Sequence, residues 1–230
     1  MKRYELHLTM NCRDLGGYKT LEGKVTRYFR FIRSDAPTYI TESDKQFLLD
    51  HRFTTIIDLR TEKVVKFIPS VFAGDPRFEY RNFPLTEGSG IPLTDENASA
   101  LYLRMIGNTE TFFRIFSLIA EVDGGVFYHC TAGKDRTGIL SCLLLLLAGA
   151  KEEDILNDYC LSNELIEKNI GRIIAEHPSF PPNLGYAKRK YLEGFLTEFR
   201  KQYGTAETYL LSIGLSESQI GKIKRKLTED

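Results

Sequence analysis

Cys130 and Arg136 stand six positions apart in the stretch His129-Cys130-Thr131-Ala132-Gly133-Lys134-Asp135-Arg136-Thr137-Gly138, and both side-chain types suit phosphate chemistry. A guanidinium is a planar fork that meets two phosphate oxygens at once. A cysteine is a nucleophile as its thiolate, and a free thiol pKa of about 8.5 drops to roughly 3.5–7.5 beside cations or at a helix N-terminus. A thiolate facing a bound phosphate in line attacks phosphorus, giving a cysteinyl-phosphate that water later hydrolyses.

The flanking residues supply that setting. Gly125 to His129 is a short apolar run rich in β-formers, and Ile139 to Ala148 is dominated by helix-formers, so the spacing predicts strand, loop, helix. A loop at such a junction turns its amides inward, and the helix's first turn carries the positive end of the dipole. Thr131, Ala132, Gly133, Lys134, Asp135 and Arg136 would form an anion cradle. Other phosphate and hydrolase motifs fail at particular residues. A Walker A loop would need glycine at Tyr128 and serine or threonine at Asp135, and the chain holds neither a Gly-x-Ser-x-Gly elbow nor a His-Glu-x-x-His helix.

The stretch His129 to Gly138 resembles the signature loop of cysteine-based protein tyrosine phosphatases. Its Gly-Lys-Asp-Arg-Thr-Gly form is similar to a bacterial branch that includes atypical dual-specificity and lipid phosphatases. Further matching stretches are Asn11-Cys12-Arg13-Asp14-Leu15-Gly16-Gly17, Arg33-Ser34, Ile57-Asp58-Leu59-Arg60-Thr61, Tyr203-Gly204 and Tyr209-Leu210, which together span nearly the whole chain. The resemblance implies Cys130 as nucleophile, Arg136 as phosphate clamp and Thr137 as the hydroxyl that bonds the cysteine sulfur. It also implies Lys134 as a second positive charge and His129 as a support of the loop. No metal or cofactor is implied. For the general acid it implies Asp135, in place of an aspartate on a separate mobile loop. The rival is Asp95, in the Gly- and Pro-containing segment Thr86 to Asn97, which would be a flap over the site.

Arg13 and Asp14 fall near the active-site loop by the same resemblance, or form an ordinary turn pair ahead of Gly16-Gly17. Asp58 and Arg60 end the β-branched run Thr54 to Leu59 and read equally as a structural ion pair or as part of the site. Cys12 departs from the family pattern, which has a large apolar residue there. Beside the loop it would form a reversible disulfide with Cys130, given Cα atoms within about 7 Å. Cys142 and Cys160 read as small hydrophobes.

The 31 basic and 31 acidic residues cancel, so no bulk charge draws the chain toward nucleic acid or a membrane surface. Lys222, Lys224, Arg225 and Lys226 read as the solvated face of a last helix. Four cysteines without a Cys-x2-Cys pair argue against a zinc site or a disulfide framework, and a reducing cytoplasm is the expected compartment. The N-terminus lacks the apolar core of a signal peptide, and the longest apolar helix is too short to span a bilayer. That helix reads as buried on all sides, packed behind the loop.

The expected architecture is a small mixed central sheet flanked by helices, one phosphatase-like α/β domain over 1–230 with a helical C-terminal region from about 151, acting as a monomer. Strands are expected at Tyr4 to Met10, Lys24 to Ile32, Thr54 to Leu59 and Phe78 to Phe83. Helices are expected from Thr41 to about His51, across Ala98 to Glu121 with a break at Gly107-Asn108, and over Glu152 to Ala175. After Pro178 and a stop at Pro181-Pro182, helix resumes from Asn183 to Tyr203. Two more follow near Thr205 to Ile213 and Ser216 to Leu227, the last with a Ser216–Gln219 capping box. Two functions fit: a phosphomonoester hydrolase acting on phosphotyrosine, with phosphoserine, phosphothreonine or phosphoinositide as additions, or an inactive phosphate-recognising module. An intact nucleophile, clamp and acid favour the hydrolase.

Overall fold

The protein is described by a computed structural model covering residues 2–86, 93–176 and 186–229. Five strands, β1 (Arg13–Asp14), β2 (Phe31–Ser34), β3 (Thr55–Asp58), β4 (Glu79–Asn82) and β5 (Val126–His129), form one sheet in the order β1-β2-β5-β3-β4. β1 pairs antiparallel with β2, and every other neighbour is parallel, so the sheet is mixed as expected.

Residues alternate between its two faces, as the period of a strand requires. Phe31, Ile57, Val126 and Tyr128 enter the larger apolar core, whereas Ile32, Ile56 and Phe127 enter the smaller one. The larger core is filled by α3 (Ala98–Ile106), α4 (Thr109–Glu121), α5 (Asp135–Leu147), α6 (Glu152–Glu176), α7 (Arg189–Tyr203), α8 (Ala206–Ser212) and α9 (Glu217–Thr228). The smaller core is closed by Tyr4, Leu6, Phe72, Phe78 and Leu48, the last from α1 (Glu42–Asp50). Thr41 caps α1 and Ser216 caps α9, each in a reciprocal capping box. From Thr137 to Leu145 every residue of α5 is buried, which explains its unbroken apolar run.

Three expectations change. Tyr4 to Met10 makes no strand; the chain turns there, with Thr9 N–H and Oγ both donating to Leu6 O, and only Arg3 bridges Arg13. The alternating pattern records Tyr4 and Leu6 dipping into the smaller core. From Lys24 to Ile32, only Phe31 and Ile32 join a ladder, because a turn with Phe29 at φ +61° interrupts the run. A short helix, α2 (Glu62–Phe67), was not expected. The Pro178 and Pro181-Pro182 stop, the helix start at Asn183 and residues 87–92 of the flap fall outside the described residues.

Candidate active site

β5 ends at His129 and α5 begins at Asp135, so Cys130 to Lys134 form the loop between them. Its conformation follows from where its carbonyls go. Cys130 O lies 3.2 Å from His129 Nδ1, Thr131 O accepts from Ala36 N–H at 3.1 Å, and Ala132 O accepts from Asn11 Nδ2 at 2.9 Å. Gly133 O accepts from both Asn11 Nδ2, at 3.0 Å, and Arg33 Nη2, at 2.8 Å. In a trans peptide the next residue's N–H points opposite to the carbonyl. The N–H groups of Thr131, Ala132, Gly133 and Lys134 therefore turn away from these anchors, an arrangement that suits an anion. Gly133 sits at φ +67°, and a Cβ there would come within 2.6 Å of the Ser34 and Asp35 backbone, so the position demands glycine.

The anchors rest on a buried ionic cluster. Asn11 Oδ1 accepts from Arg13 Nη1 at 2.5 Å, which fixes which end of its amide faces the loop. Arg13 and Arg33 are direct cross-strand partners, like charges that would repel. Asp158 of α6 lies between them, accepting from Arg13 Nε at 2.9 Å and from Arg33 Nη1. Burial pushes the Asp158 pKa up, but the two guanidiniums outweigh it and hold the carboxyl down at about 2. Asp35 positions Asn11 from the other side, accepting from the Met10 and Asn11 amides.

On the helix side, Asp135 Oδ1 accepts from Tyr102 OH, and that hydroxyl lies 2.7 Å from Tyr159 OH. Its other oxygen lies 3.4 Å from Lys134 Nζ. Arg136 arches back over the loop, with Nη2 3.4 Å from Thr131 Oγ1 and Nη1 3.5 Å from Leu59 O. The Thr137 hydroxyl is buried with no hydrogen-bond partner among the described residues.

Asp58 and Arg60 form a buried ion pair at 2.7 Å, joined by Tyr80 OH at 2.9 Å. Burial raises the Asp58 pKa, and Arg60 and His129 more than offset it, leaving it below the ordinary carboxylate value. His129 is itself held below its usual pKa, chiefly by burial. Its Nε2 lies 3.8 Å from Asp58, so this pair backs the strand end that leads into the loop.

The sequence-selected residues thus divide. Cys130 to Thr137 come together in one loop and helix start, and Arg13 reaches the loop through Asn11. Asp14 serves the turn instead, accepting from Gly16 N–H, Phe29 N–H and Tyr4 OH. Asp95 is held by Lys188 and Lys190, each at 2.7 Å, and by Tyr191 OH. Hydrogen bonds from Lys188, Lys190 and Tyr191 hold its carboxyl well below the usual range, a poor state for a proton donor. Cys12 lies in the smaller core and Cys130 against the larger one, on opposite faces of the sheet, and all four cysteines are free thiols. Burial pushes the Cys12 thiol up to about 12, so it is no ready redox partner. Asn11, Arg33, Asp35, Tyr159 and Asp158 are not among the sequence-selected site residues. For Asn11 and Arg33 the only sequence signal is membership of the matching stretches; for the others there is none. Tyr102, an aromatic the sequence suggests could stack on a phenol, instead bonds Asp135 through its hydroxyl.

Among the described residues no group of three or more His, Cys, Asp or Glu is placed to hold a metal ion, and no helix is long and apolar enough to cross a membrane. The model of the tyrosine phosphatase family matches residues 4–229. A tyrosine-protein phosphatase of Nostoc commune is 32% identical over 216 residues, covering 86% of this chain and 74% of that protein. The triple specificity protein phosphatase PtpB of Mycobacterium tuberculosis is 24% identical over 163 residues, 64% of this chain and 52% of its own. The crystal structure of P. aeruginosa TpbA aligns with a TM-score of 0.42 at 10% identity, over 86% of this chain and 98% of that one.

Proposed function

Since this chain belongs to the tyrosine phosphatase family, and is therefore a phosphatase, we propose that Cys130 carries its chemistry, with phosphotyrosine in a protein as the leading substrate. The carrying observation is the loop whose four carbonyls are tied outward, leaving its amides to receive the phosphate. Cys130 Sγ attacks phosphorus in line, and the bond to the leaving oxygen breaks as Asp135 gives that oxygen its proton. Arg136 clamps two phosphoryl oxygens, and Thr137 donates to the departing sulfur when water hydrolyses the cysteinyl-phosphate. Asp135 is favoured over Asp95 because it adjoins Arg136 and is oriented by Tyr102, whereas Asp95 is locked among cations.

Phosphoserine, phosphothreonine and phosphoinositide are additional substrates in this reading, in keeping with a mycobacterial relative that is named a triple specificity protein phosphatase. Phosphoinositide binding would draw on Lys134. The larger core runs from Leu15 to Leu227, which supports a single domain. We place it in the cytoplasm as a monomer, in keeping with four free thiols.

The test is phosphate release without added metal from a phosphotyrosine peptide, a phosphoserine peptide and a phosphoinositide, by wild type, Cys130→Ser, Asp135→Asn and Asp95→Asn. Cys130→Ser abolishes turnover, and Asp135→Asn lowers kcat about 10²–10⁴-fold on the peptide. Asp95→Asn stays near wild type. Full activity in Cys130→Ser would end the proposal, and loss confined to Asp95→Asn would reassign the acid.

A further inference from the structure

A groove of about 530 Å³ opens beside the loop, walled by Leu8, Met10, Val64, Ile68, Arg60 and Thr131. Thr131 belongs both to this groove and to the loop, so a group lying in the groove is an immediate neighbour of whatever sits over Cys130. The walls are chiefly apolar and are kept open to solvent, with Leu8 58% and Ile68 48% exposed. Phe67, next to Ile68, is 86% exposed, so apolar surface gathers at one side of the loop.

Leu8 adds a second observation. It sits at φ +54°, a left-handed conformation that a leucine adopts only with strain, and the exposed side chain gains little burial in return. Strained backbone of this kind clusters at active sites and ligand clamps, which accords with the place of Leu8 beside the loop.

We propose that this groove is the subsite that reads the polypeptide around the phosphorylated residue, taking an apolar side chain that flanks phosphotyrosine; the proposal rests on the assignment of the loop as the phosphate seat. The charges present favour a peptide over a lipid. Among the described residues lining the groove, the one cation, Arg60, is already paired with Asp58, and the other charged wall residue is Asp35, a carboxylate, so the lining itself offers no unpaired positive charge to a lipid headgroup. A flanking leucine or phenylalanine needs only apolar walls of this size.

The experiment compares kcat/KM on phosphotyrosine peptides in which each of the two residues on either side is in turn leucine or aspartate, in an alanine background. The enzymes are wild type, Leu8→Asn, Ile68→Asn and the double variant. Asparagine tolerates the left-handed backbone, so Leu8→Asn keeps the turn while removing the apolar contact. Wild type should prefer leucine over aspartate at one flanking position by about tenfold or more. The double variant should bring that ratio to within about twofold of unity, while p-nitrophenyl phosphate, which carries no flanking residue, is still turned over. No preference in wild type, or a preference unchanged in the double variant, would overturn the subsite. So would a loss of turnover on phosphoinositide vesicles with the peptide ratio intact, since that would make the groove a lipid contact. Failure of the underlying site would show separately, as Cys130→Ser activity on every substrate.

Discussion

Arg13, Arg33 and Asp158 make one ionic cluster, and Glu42, Lys45, Asp75 and Arg77 make another, with similar contacts but opposite surroundings. In the first, every side chain is at most 1% exposed and the Asp158–Arg13 contact is 2.9 Å. In the second, Lys45–Asp75 and Arg77–Glu42 are also 2.9 Å, yet Arg77 and Glu42 stand well out in solvent. A surface charge that loses its partner is rehydrated, whereas a buried one keeps the full desolvation penalty. Only the buried cluster touches the loop, through Arg33 to Gly133 O and through Arg13 and Asn11 to Ala132 O. The exposed cluster ties α1 to the chain ahead of β4. Similar ion pairs therefore brace the site in one place and decorate the surface in the other.

The sharpest way to break this contrast is Asp158→Ala, which leaves two buried guanidiniums facing each other across β1 and β2. Urea unfolding should show a loss of about 3–5 kcal/mol. A loss under about 1 kcal/mol, the range of surface pairs, would mean the cluster is not truly desolvated.

Acid offers a second, slightly smaller effect. Asp158 has a folded pKa of about 2, below its unfolded value of about 3.9, so its contribution is present above pH ~4 and disappears as pH falls through about 2. The difference in stability between wild type and Asp158→Asn should shrink across that window by roughly 2–3 kcal/mol. A difference that stays constant from about pH 6 down to about pH 2 would contradict it.

Asn11→Ala sharpens the comparison at the loop itself. It removes donors from Ala132 O and Gly133 O but leaves the Asp158 pairs, so the stability loss should be about 1–2 kcal/mol. Loosening of the loop should nonetheless lower kcat/KM roughly 10–100-fold. Steady-state kinetics beside thermal melting separate the two; unaltered kinetics would show that Asn11 does not position the loop. Smallest of all, Glu42→Gln, at a side chain 72% exposed, should leave both melting temperature and turnover within the scatter of wild type.

The two clusters also show what the chain made legible. The stretch His129 to Gly138 announced a strand, a loop and a buried helix because the whole local signal is contiguous. The bracing cluster has no such signal: Arg13, Arg33 and Asp158 are brought together only by the antiparallel register of β1 with β2 and by the packing of α6. Sequence periodicity reports burial, and burial without pairing misread Tyr4 to Met10 as a strand. Six-residue α2 is too short for its period to stand out from a loop. Asp95 looked like a rival acid by composition alone, and its partners Lys188, Lys190 and Tyr191 lie too far along the chain to be foreseen.

The most direct measurement is to mix enzyme with a phosphotyrosine peptide, quench in acid within the first turnover, and map phosphorylation by mass spectrometry in wild type, Cys130→Ser and Asp158→Asn. The cysteinyl-phosphate mechanism predicts one phosphoryl group on the peptide containing Cys130 in wild type, none in Cys130→Ser, and a reduced amount in Asp158→Asn, where the brace is cut. Turnover with no phosphoryl group on Cys130, or with one on another residue, would contradict it.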